Sequence, residues 1–410
     1  MLRVCLILLP MSALACGAST PPTLPGADGG SVSDGGVRDA GPPPRLAPEL
    51  GTGDRTEGSV TLTEIAVSTH GLRTPRDLAF NPRRPDELWI VNNGDDSVVI
   101  VKETSTNART YERRKDSNAN HFMPKPAAIA FGADETSTAP APMGLGGKPG
   151  TFATCGESRN TFGGRAEPND FMGPALWSSD LSVFARSNAN GLGTHLDMLH
   201  CSPNCMGIAH QDANVYWAFA GRSRVCGAAC VIDGNTASIV KYNFGADNGV
   251  GNDDHSDGEA FQYVTGAVRY VEGVPSHLYF DPNDGMLYIA DTGNKRIARL
   301  DTGSGTLGRR LQPMEAMEQY RMMEEATIED VVPESSGLLE APCGIKLRGD
   351  FVYVTDNANG RISAFRHDGE RVNHLDTGLP SGALAGLTFG PDDRVYFVDM
   401  LRHRVLRIDP

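Results

Sequence analysis

The stretch PSHLYFDPNDGMLYIADTGNKRIARL, residues 275–300, decides the fold of this chain. It contains three runs of aliphatic and aromatic residues, which begin near Leu278, Leu287 and Ile297. An Asp-Gly pair separates the first two runs and a polar turn separates the last two, a pattern typical of antiparallel strands joined by tight turns. The stretch therefore predicts a meander of three strands.

The same order of strands and turns recurs along the chain, which indicates a repeat protein. In the clearest units the second strand ends in Asp, and Arg followed by an aliphatic residue opens the third strand. Six units can be traced, and they begin at Pro75, Pro126, Pro203, Pro275, Pro342 and Leu387.

These units resemble the NHL repeat. The resemblance is carried by Ala290-Asp291 with Arg296-Ile297, and by the matching residues 355–356 with 361–362. It covers residues 59–410 and is weakest in the second and third units, where Cys155 and Gly221 stand in place of Asp. The resemblance implies an all-β, six-bladed β-propeller with four strands in each blade.

The two ends of the repeat region predict how the ring closes. The last unit ends with its third strand at residues 404–408, and such a blade would expose an unpaired sheet edge. The segment Val60–Val67 has the alternation of a strand and precedes the first unit. We expect it to form the fourth strand of the sixth blade.

The N-terminus has the features of an export signal in residues 1–15, with Arg3 before a short apolar stretch. Cys16 is the predicted lipidation site of a bacterial lipoprotein, and an ordinary signal-peptidase site is the alternative. Residues 16–58 are rich in Gly, Pro, Ser and Asp, which predicts a disordered tether. We therefore expect a lipid anchor in the outer membrane or at the cell surface, or otherwise a periplasmic or secreted protein.

Export changes the interpretation of the cysteines, because disulfides persist in oxidising compartments. The pair Cys226 and Cys230 is a candidate for a local bridge. Cys155 and Cys201 are further disulfide candidates, but the sequence does not fix their partners.

Strand order sorts the polar residues onto two faces of the propeller. The face that carries the starts of the inner strands receives most histidines and all six cysteines of the propeller region; we call it the His/Cys face. Imidazole and thiolate ligands suit zinc or copper, so this face is a candidate metal or ligand site near the channel. Scattered loop histidines together with disulfides are the alternative. The candidate residues are His195, His200, Cys205, His277 and Cys343.

The opposite face receives an acidic, Gly-rich segment at residues 247–259, which we call the Asp loop. Such a loop can wrap calcium, and side chains that cap their own backbone are the equal alternative. Val264 stands where an EF-hand would need its last glutamate, so the loop is not an EF-hand. The candidate calcium ligands are Asp247, Asp253, Asp254, His255 and Asp257.

Composition narrows the function. The formal net charge is −14, with no Lys/Arg-rich run, so nucleic acid is not an expected partner. We expect a monomeric binding propeller displayed at the envelope, with a protein, peptide or glycan ligand and no membrane contact except through the lipid. The alternative is a metal-dependent lyase or lactonase-type hydrolase, because the zinc-dependent peptidyl-α-hydroxyglycine α-amidating lyases are NHL-type propellers.

Residues 313–326 are good helix formers, and we expect a helix there.

Overall fold

The computed structural model describes residues 46–134, 150–160, 168–186, 191–227, 229–252 and 254–410. They form a six-bladed β-propeller, as the repeats predicted, with the first strand of each blade innermost. Blade 1 comprises β2 (Pro75–Asn81), β3 (Arg84–Asn92), β4 (Ser97–Lys102) and β5 (Thr110–Arg114). A short helix, α1 (Ala119–Phe122), leads to blade 2, which comprises β6 (Pro126–Asp134), β7 (Gly150–Gly156), β8 (Ala175–Ser178) and β9 (His195–Met198).

The other blades follow the same order. Blade 3 comprises β10 (Cys205–Asp212), β11 (Val215–Ala220), β14 (Ser238–Asn243) and β15 (Glu259–Tyr263), with the small hairpin β12 (Ser223–Cys226) and β13 (Cys230–Asp233) between its middle strands. Blade 4 comprises β16 (Leu278–Asp281), β17 (Met286–Asp291), β18 (Arg296–Asp301) and β21 (Ile328–Val332). Blade 5 comprises β22 (Pro342–Arg348), β23 (Phe351–Asp356), β24 (Arg361–Arg366) and β25 (Arg371–Asp376).

The ring closes through the N-terminal strand, as predicted. Blade 6 comprises β26 (Leu384–Phe389), β27 (Val395–Asp399), β28 (Arg404–Asp409) and β1 (Thr61–Ala66). β1 runs antiparallel to β28, with Leu62 opposite Ile408. The pairing covers the edge that β28 would otherwise expose.

The expected helix over residues 313–326 is wrong. The chain forms a hairpin of β19 (Thr306–Arg310) and β20 (Gln319–Glu324), which we call the hairpin insert. It lies between the last two strands of blade 4, and β20 pairs in parallel with β15, so the sheet of blade 3 has six strands. Tertiary pairing therefore outweighs local helix propensity, because β15 would otherwise be an open edge.

The core is divided among the blade boundaries. Six clusters of buried apolar side chains lie among the described residues, one between each pair of neighbouring blades. The boundary of blades 1 and 2, for example, contains Trp89, Phe152 and Trp177, all fully buried. Burial of these faces supplies the main favourable free energy of a propeller, because successive sheets bury their apolar surfaces against each other.

The recurring aspartates are structural, as their repetition suggested. Asp291 accepts a hydrogen bond from the backbone N–H of Arg269 at 3.0 Å and contacts Nε of Arg296 at 2.8 Å. Asp356 accepts two backbone N–H bonds from the link that enters its blade, and Asp399 contacts an arginine of β28. Each carboxylate thus fixes a turn by satisfying buried donors.

The described residues begin before the first strand. Residues 46–58, which the sequence placed in the tether, pack against blades 5 and 6, and the side chain of Leu50 is buried. The side-chain amide of Asn373 donates to the carbonyls of Ala47 and Gly51, both at 3.0 Å. Cys16 and the export signal lie outside the described residues. In the part of the chain that the structure describes, no helix is long and apolar enough to cross a membrane.

Candidate functional site

Three side chains converge at the outer rim of blades 2 and 3. Oε2 of Glu315 contacts Nδ1 of His200 in a very short hydrogen bond and Nδ1 of His255 at 2.9 Å. One possible ligand atom from each residue lies within 4.8 Å of the others, and within the described ranges this is the one group that could hold a metal ion. Two imidazoles and one carboxylate form a donor set suited to a divalent transition metal.

These residues come from three separate segments. His200 lies in the link from β9 to β10, His255 lies in the Asp loop, and Glu315 lies at the tip of the hairpin insert. The backbone N–H of His200 donates to Oε1 of Glu315 at 2.8 Å, which orients the carboxylate. Met317 at the same tip is buried in the cluster between blades 2 and 3 and touches Cys201. The tip is thus held by both apolar and polar contacts.

The Asp loop reaches His200 because it does not stay on its own face. It runs back along the outer strand of blade 2, where Asn248 N–H donates to Leu196 O at 2.9 Å and Gly251 N–H donates to His195 O at 2.8 Å. Assigning His200 and His255 to opposite faces is therefore wrong. Strand order places only the ends of a loop, and a loop of this length can cross the rim.

Two neighbouring carboxyl groups at this site differ in charge state. Burial acts to raise the pKa of Glu315, but the charges and hydrogen bonds of His200 and His255 outweigh it and lower the pKa to about 2. Burial raises the pKa of Asp197 to about 8, since its one backbone hydrogen bond and the charge of His255 compensate too little. Asp257 and Glu315 raise it further. Near neutral pH Glu315 is therefore ionised, whereas Asp197 is largely protonated.

The channel residues do not join this cluster. Nε2 of His277 contacts the carbonyl of Ala127 at 3.0 Å, and Nδ1 lies 3.6 Å from Asp77. The thiol of Cys343 is buried and lies 3.2 Å from the hydroxyl of Thr355. The contacts of His277 link it to the inner strands of blades 2 and 1, whereas Cys343 and Thr355 lie on neighbouring strands of blade 5. The predicted set of ligands is therefore dispersed, because inner-strand positions on opposite blades satisfy each other.

His195 is also separate from the cluster. Its imidazole stacks on Phe122 with ring centroids 3.6 Å apart, and Nδ1 lies 3.0 Å from the carbonyl of Leu192. The residue opens β9, the outer strand of blade 2, rather than facing the channel.

The six cysteines that the structure describes divide into two disulfides and two free thiols. The local bridge Cys226–Cys230 is confirmed, and Cys155 pairs with Cys205. Cys205 was therefore wrongly proposed as a metal or ligand residue, because a disulfide sulfur is not a thiolate. Cys201 was wrongly proposed as a disulfide candidate, since it is free and buried beside Met317.

Three aspartates of the Asp loop accept hydrogen bonds from backbone N–H groups. Asp247, Asp254 and Asp257 each accept a backbone N–H from within the loop region, at 3.0–3.3 Å. Asp253 lies outside the described residues. This arrangement matches the capping alternative for these three residues, while His255 belongs to the cluster with Glu315.

A polar cavity of about 640 Å³ opens at the mouth of the channel on the His/Cys face, and we call it the mouth cavity. Its charged lining residues are Arg76, Lys125, Arg159, Arg222, Glu157 and Glu272. A second cavity of about 340 Å³ on the same face shares Arg76 and Glu272 with it. The two cavities therefore form one depression that extends over both sides of Arg76.

Arg76 is the buried cation of this depression, with 8% of its surface exposed. One of its terminal nitrogens donates to the carbonyl of Gly273, and the other lies 3.9 Å from Glu157. Its Nε has no partner among the described residues. Burial lowers the pKa of Arg76, while the charge of Glu157 opposes the shift. Glu157 is itself occupied by Tyr270 OH at 2.9 Å and by a backbone N–H.

The other end of the channel has a different character. A cavity of about 510 Å³ is lined by the far ends of the inner strands, with aromatic residues including Phe80, Phe131 and Tyr279. Lys346 lies over the ring of Tyr279 at 5.8 Å. The two ends of the channel are thus chemically distinct, one rich in charge and one rich in aromatic surface.

Comparison with known proteins relates the chain to solved propellers. No protein-family model matches it, and neither does any curated protein. Similar solved structures include regucalcin, a calcium-binding protein from Agrobacterium tumefaciens, at 12% identity over 83% of this chain and 92% of that one, with a TM-score of 0.47. A streptogramin B lyase matches at 12% identity over 85% and 97%, with a TM-score of 0.44. An auxiliary nutrient-binding protein from Bacteroides ovatus matches at 12% identity over 86% and 76%, with a TM-score of 0.49. Likenesses this weak assign neither a ligand nor a reaction.

Proposed function

We propose that this protein is an NHL-type binding propeller that captures a small anionic molecule in the mouth cavity. The observation that carries the proposal is Arg76, a buried guanidinium with an unpartnered Nε at a cavity of about 640 Å³. Buried cations are normally paired, because an incompletely hydrogen-bonded charge is costly. An anionic ligand would complete the hydrogen bonding of Arg76.

The other charges of the cavity define the ligand class. Four cations face two carboxylates in the lining, and Asp170 pairs with Arg159 and Arg222 from the side. Guanidinium groups match carboxylate and phosphate geometry through paired N–H donors. The best match is a small polar molecule with a carboxylate or phosphate, and Glu157 or Glu272 would accept its hydroxyl or ammonium groups.

The site of action is proposed from the N-terminal sequence. Residues 1–15 would direct export, Cys16 would carry the lipid, and the following segment would hold the propeller away from the membrane. Mass analysis of the mature protein tests this, since the proposal requires a lipid-modified Cys16 at the new N-terminus. An unmodified chain that begins elsewhere would reject the anchor.

The enzymatic alternative would place a catalytic metal among the histidines of the His/Cys face. A catalytic metal needs an open position and room for substrate. Among the described residues, His200 lines a cavity of about 10 Å³, which is the space of one water molecule. Geometry therefore favours binding over metal-dependent catalysis at this place.

Calcium in the Asp loop is a separate proposal that rests on the residue types of residues 247–257. The hydrogen bonds of its described carboxylates favour backbone capping. A thermal unfolding midpoint that does not change with EGTA would reject the calcium proposal.

Titration of the full chain with citrate, succinate and inorganic phosphate tests the binding proposal by calorimetry. We expect at least one of these anions to bind, and Arg76→Gln to weaken it about tenfold or more, as loss of a charged hydrogen bond predicts. Arg402→Gln is the matched control, because Arg402 is exposed on the same face and does not line the cavity. Equal affinity in wild type and Arg76→Gln, or no binding of any anion, would reject the proposal.

A further inference from the structure

We propose that His200, His255 and Glu315 form a structural site for a divalent transition metal such as zinc, which fixes the hairpin insert to blades 2 and 3. This site is independent of the mouth cavity and of the binding function proposed there. It also differs from both metal sites that the sequence suggested, because it takes one residue from each and adds Glu315.

Convergence of the three residues is the first argument. His200 and Glu315 are 115 residues apart in sequence, yet their side chains meet directly. Both histidines turn Nδ1 toward the same carboxylate oxygen. Nitrogen and carboxylate donors around one point are the ligands of zinc and its neighbours in the transition series, whereas calcium prefers oxygen ligands alone.

Burial of the donors is the second argument. The side chains of His200, Glu315 and His255 are 1%, 7% and 12% exposed. Phe171 stacks on the imidazole of His200 with ring centroids 3.6 Å apart, which fixes the ring plane. Ligands held in this way are preorganised, so little conformational entropy is lost when a metal binds.

Incomplete pairing around the cluster is the third argument. Nε2 of His200 and Oδ2 of Asp197 are buried and have no hydrogen-bond partner among the described residues. A divalent cation would offset the buried negative charge of Glu315.

The role of the metal follows from where its ligands lie. The three segments are the link between blades 2 and 3, the Asp loop and the hairpin insert, and each is otherwise an irregular loop or a loop tip. Among the described residues, His200 lines a cavity of about 10 Å³, which is too small for a substrate. A bound ion would therefore act as a cross-link that stabilises the folded chain, since it binds the folded state and finds no formed site in the unfolded one.

Metal analysis of the full chain, purified without chelator and then incubated with zinc, tests the proposal directly. We expect about one zinc per chain, as for a single site. The same protein loaded with cobalt should show the visible absorption bands of a four-coordinate nitrogen and oxygen site. Both measurements use the wild-type protein, so they do not depend on whether a variant folds. Less than about one tenth of an equivalent of metal, or no cobalt bands, would overturn the proposal.

Variants locate the ion. His255→Gln and Glu315→Gln should each lower zinc affinity at least about tenfold, because each removes a ligand. His374→Gln and Glu318→Gln are matched controls, since His374 lies on blade 5 and Glu318 is exposed on the same tip as Glu315. Arg76→Gln should keep its metal, which separates this site from the mouth cavity. Unchanged zinc affinity in folded His255→Gln and Glu315→Gln would overturn the assignment.

Discussion

Closure of the ring by β1 can be tested with the substitution Ile65→Ala. Ile65 is 1% exposed and lies in the cluster that joins blades 6 and 1, together with Leu78, Ile90 and Val405. Replacing a fully buried isoleucine by alanine removes apolar contacts and leaves a cavity, at a typical cost of about 2–5 kcal/mol. We expect the free energy of unfolding to fall by about 3 kcal/mol, because the site is enclosed by two sheets.

Urea unfolding followed by tryptophan fluorescence measures this cost, since Trp89, Trp177 and Trp217 are fully buried. In a thermal unfolding experiment, an entropy of about 2.1 cal/mol/K per residue over roughly 350 residues of the propeller converts 3 kcal/mol into a fall of about 4 °C in the melting temperature. Thr61→Ala is the matched control, because Thr61 lies on the same strand with its side chain exposed, and it should change stability by less than about 0.5 kcal/mol.

A cost below about 1 kcal/mol for Ile65→Ala would refute the closure argument, since it would mean that β1 is not part of the cooperative core. The register with β28 supplies a second check. Removal of residues 1–67 should expose the edge of β28 and cause self-association, which a peptide of residues 59–67 should reverse. A truncated chain that stays monomeric and equally stable would contradict the same reasoning.

Two further predictions concern groups buried near the channel and the rim. The pKa of His277 is lowered, chiefly by burial, although Asp77 and the carbonyl of Ala127 oppose the shift. The unfolded chain therefore binds a proton more readily than the folded one, and stability should fall as the pH drops below 6.5. The substitution His277→Gln should flatten the dependence of the unfolding midpoint on pH between pH 7.5 and pH 5.5. Parallel pH profiles for the wild type and the variant would contradict this. Burial raises the pKa of the Cys343 thiol to about 12 and that of Cys201 well above its usual value. Peptide mapping after alkylation at pH 8 should find both thiols unlabelled in the folded protein and labelled in guanidinium, and rapid labelling of either in the folded state would refute the assigned burial.

Much of the fold could be predicted because its information is local and repeated. Each blade has the same pattern of strands and turns in its sequence. A unit that matches the repeat weakly, such as blade 2, can therefore be located from the units on either side of it. The hairpin insert could not be predicted in this way. Residues 313–326 have high helix propensity, and only the open edge of β15 makes them pair as a strand.

The candidate sites could also be predicted only in part from the sequence. The sequence indicated histidines, cysteines and an acidic loop as candidate sites, but it grouped them by the face that strand order assigns. Glu315 was missed because a glutamate in an apparent helix carries no signal of a ligand. Arg76 was missed because its position at the second residue of β2 is an ordinary one in the repeat.

The sequence by itself determined the number of blades, the closure by the N-terminal strand and the local Cys226–Cys230 bridge. These features depend on patterns and on residues near each other in the chain. The tertiary structure alone decided the pairing of Cys155 with Cys205, the cavity around Arg76 and the meeting of His200, His255 and Glu315. These depend on which loops cross the rim and which inner strands face each other, and such contacts are set by the packing of whole blades rather than by any local pattern.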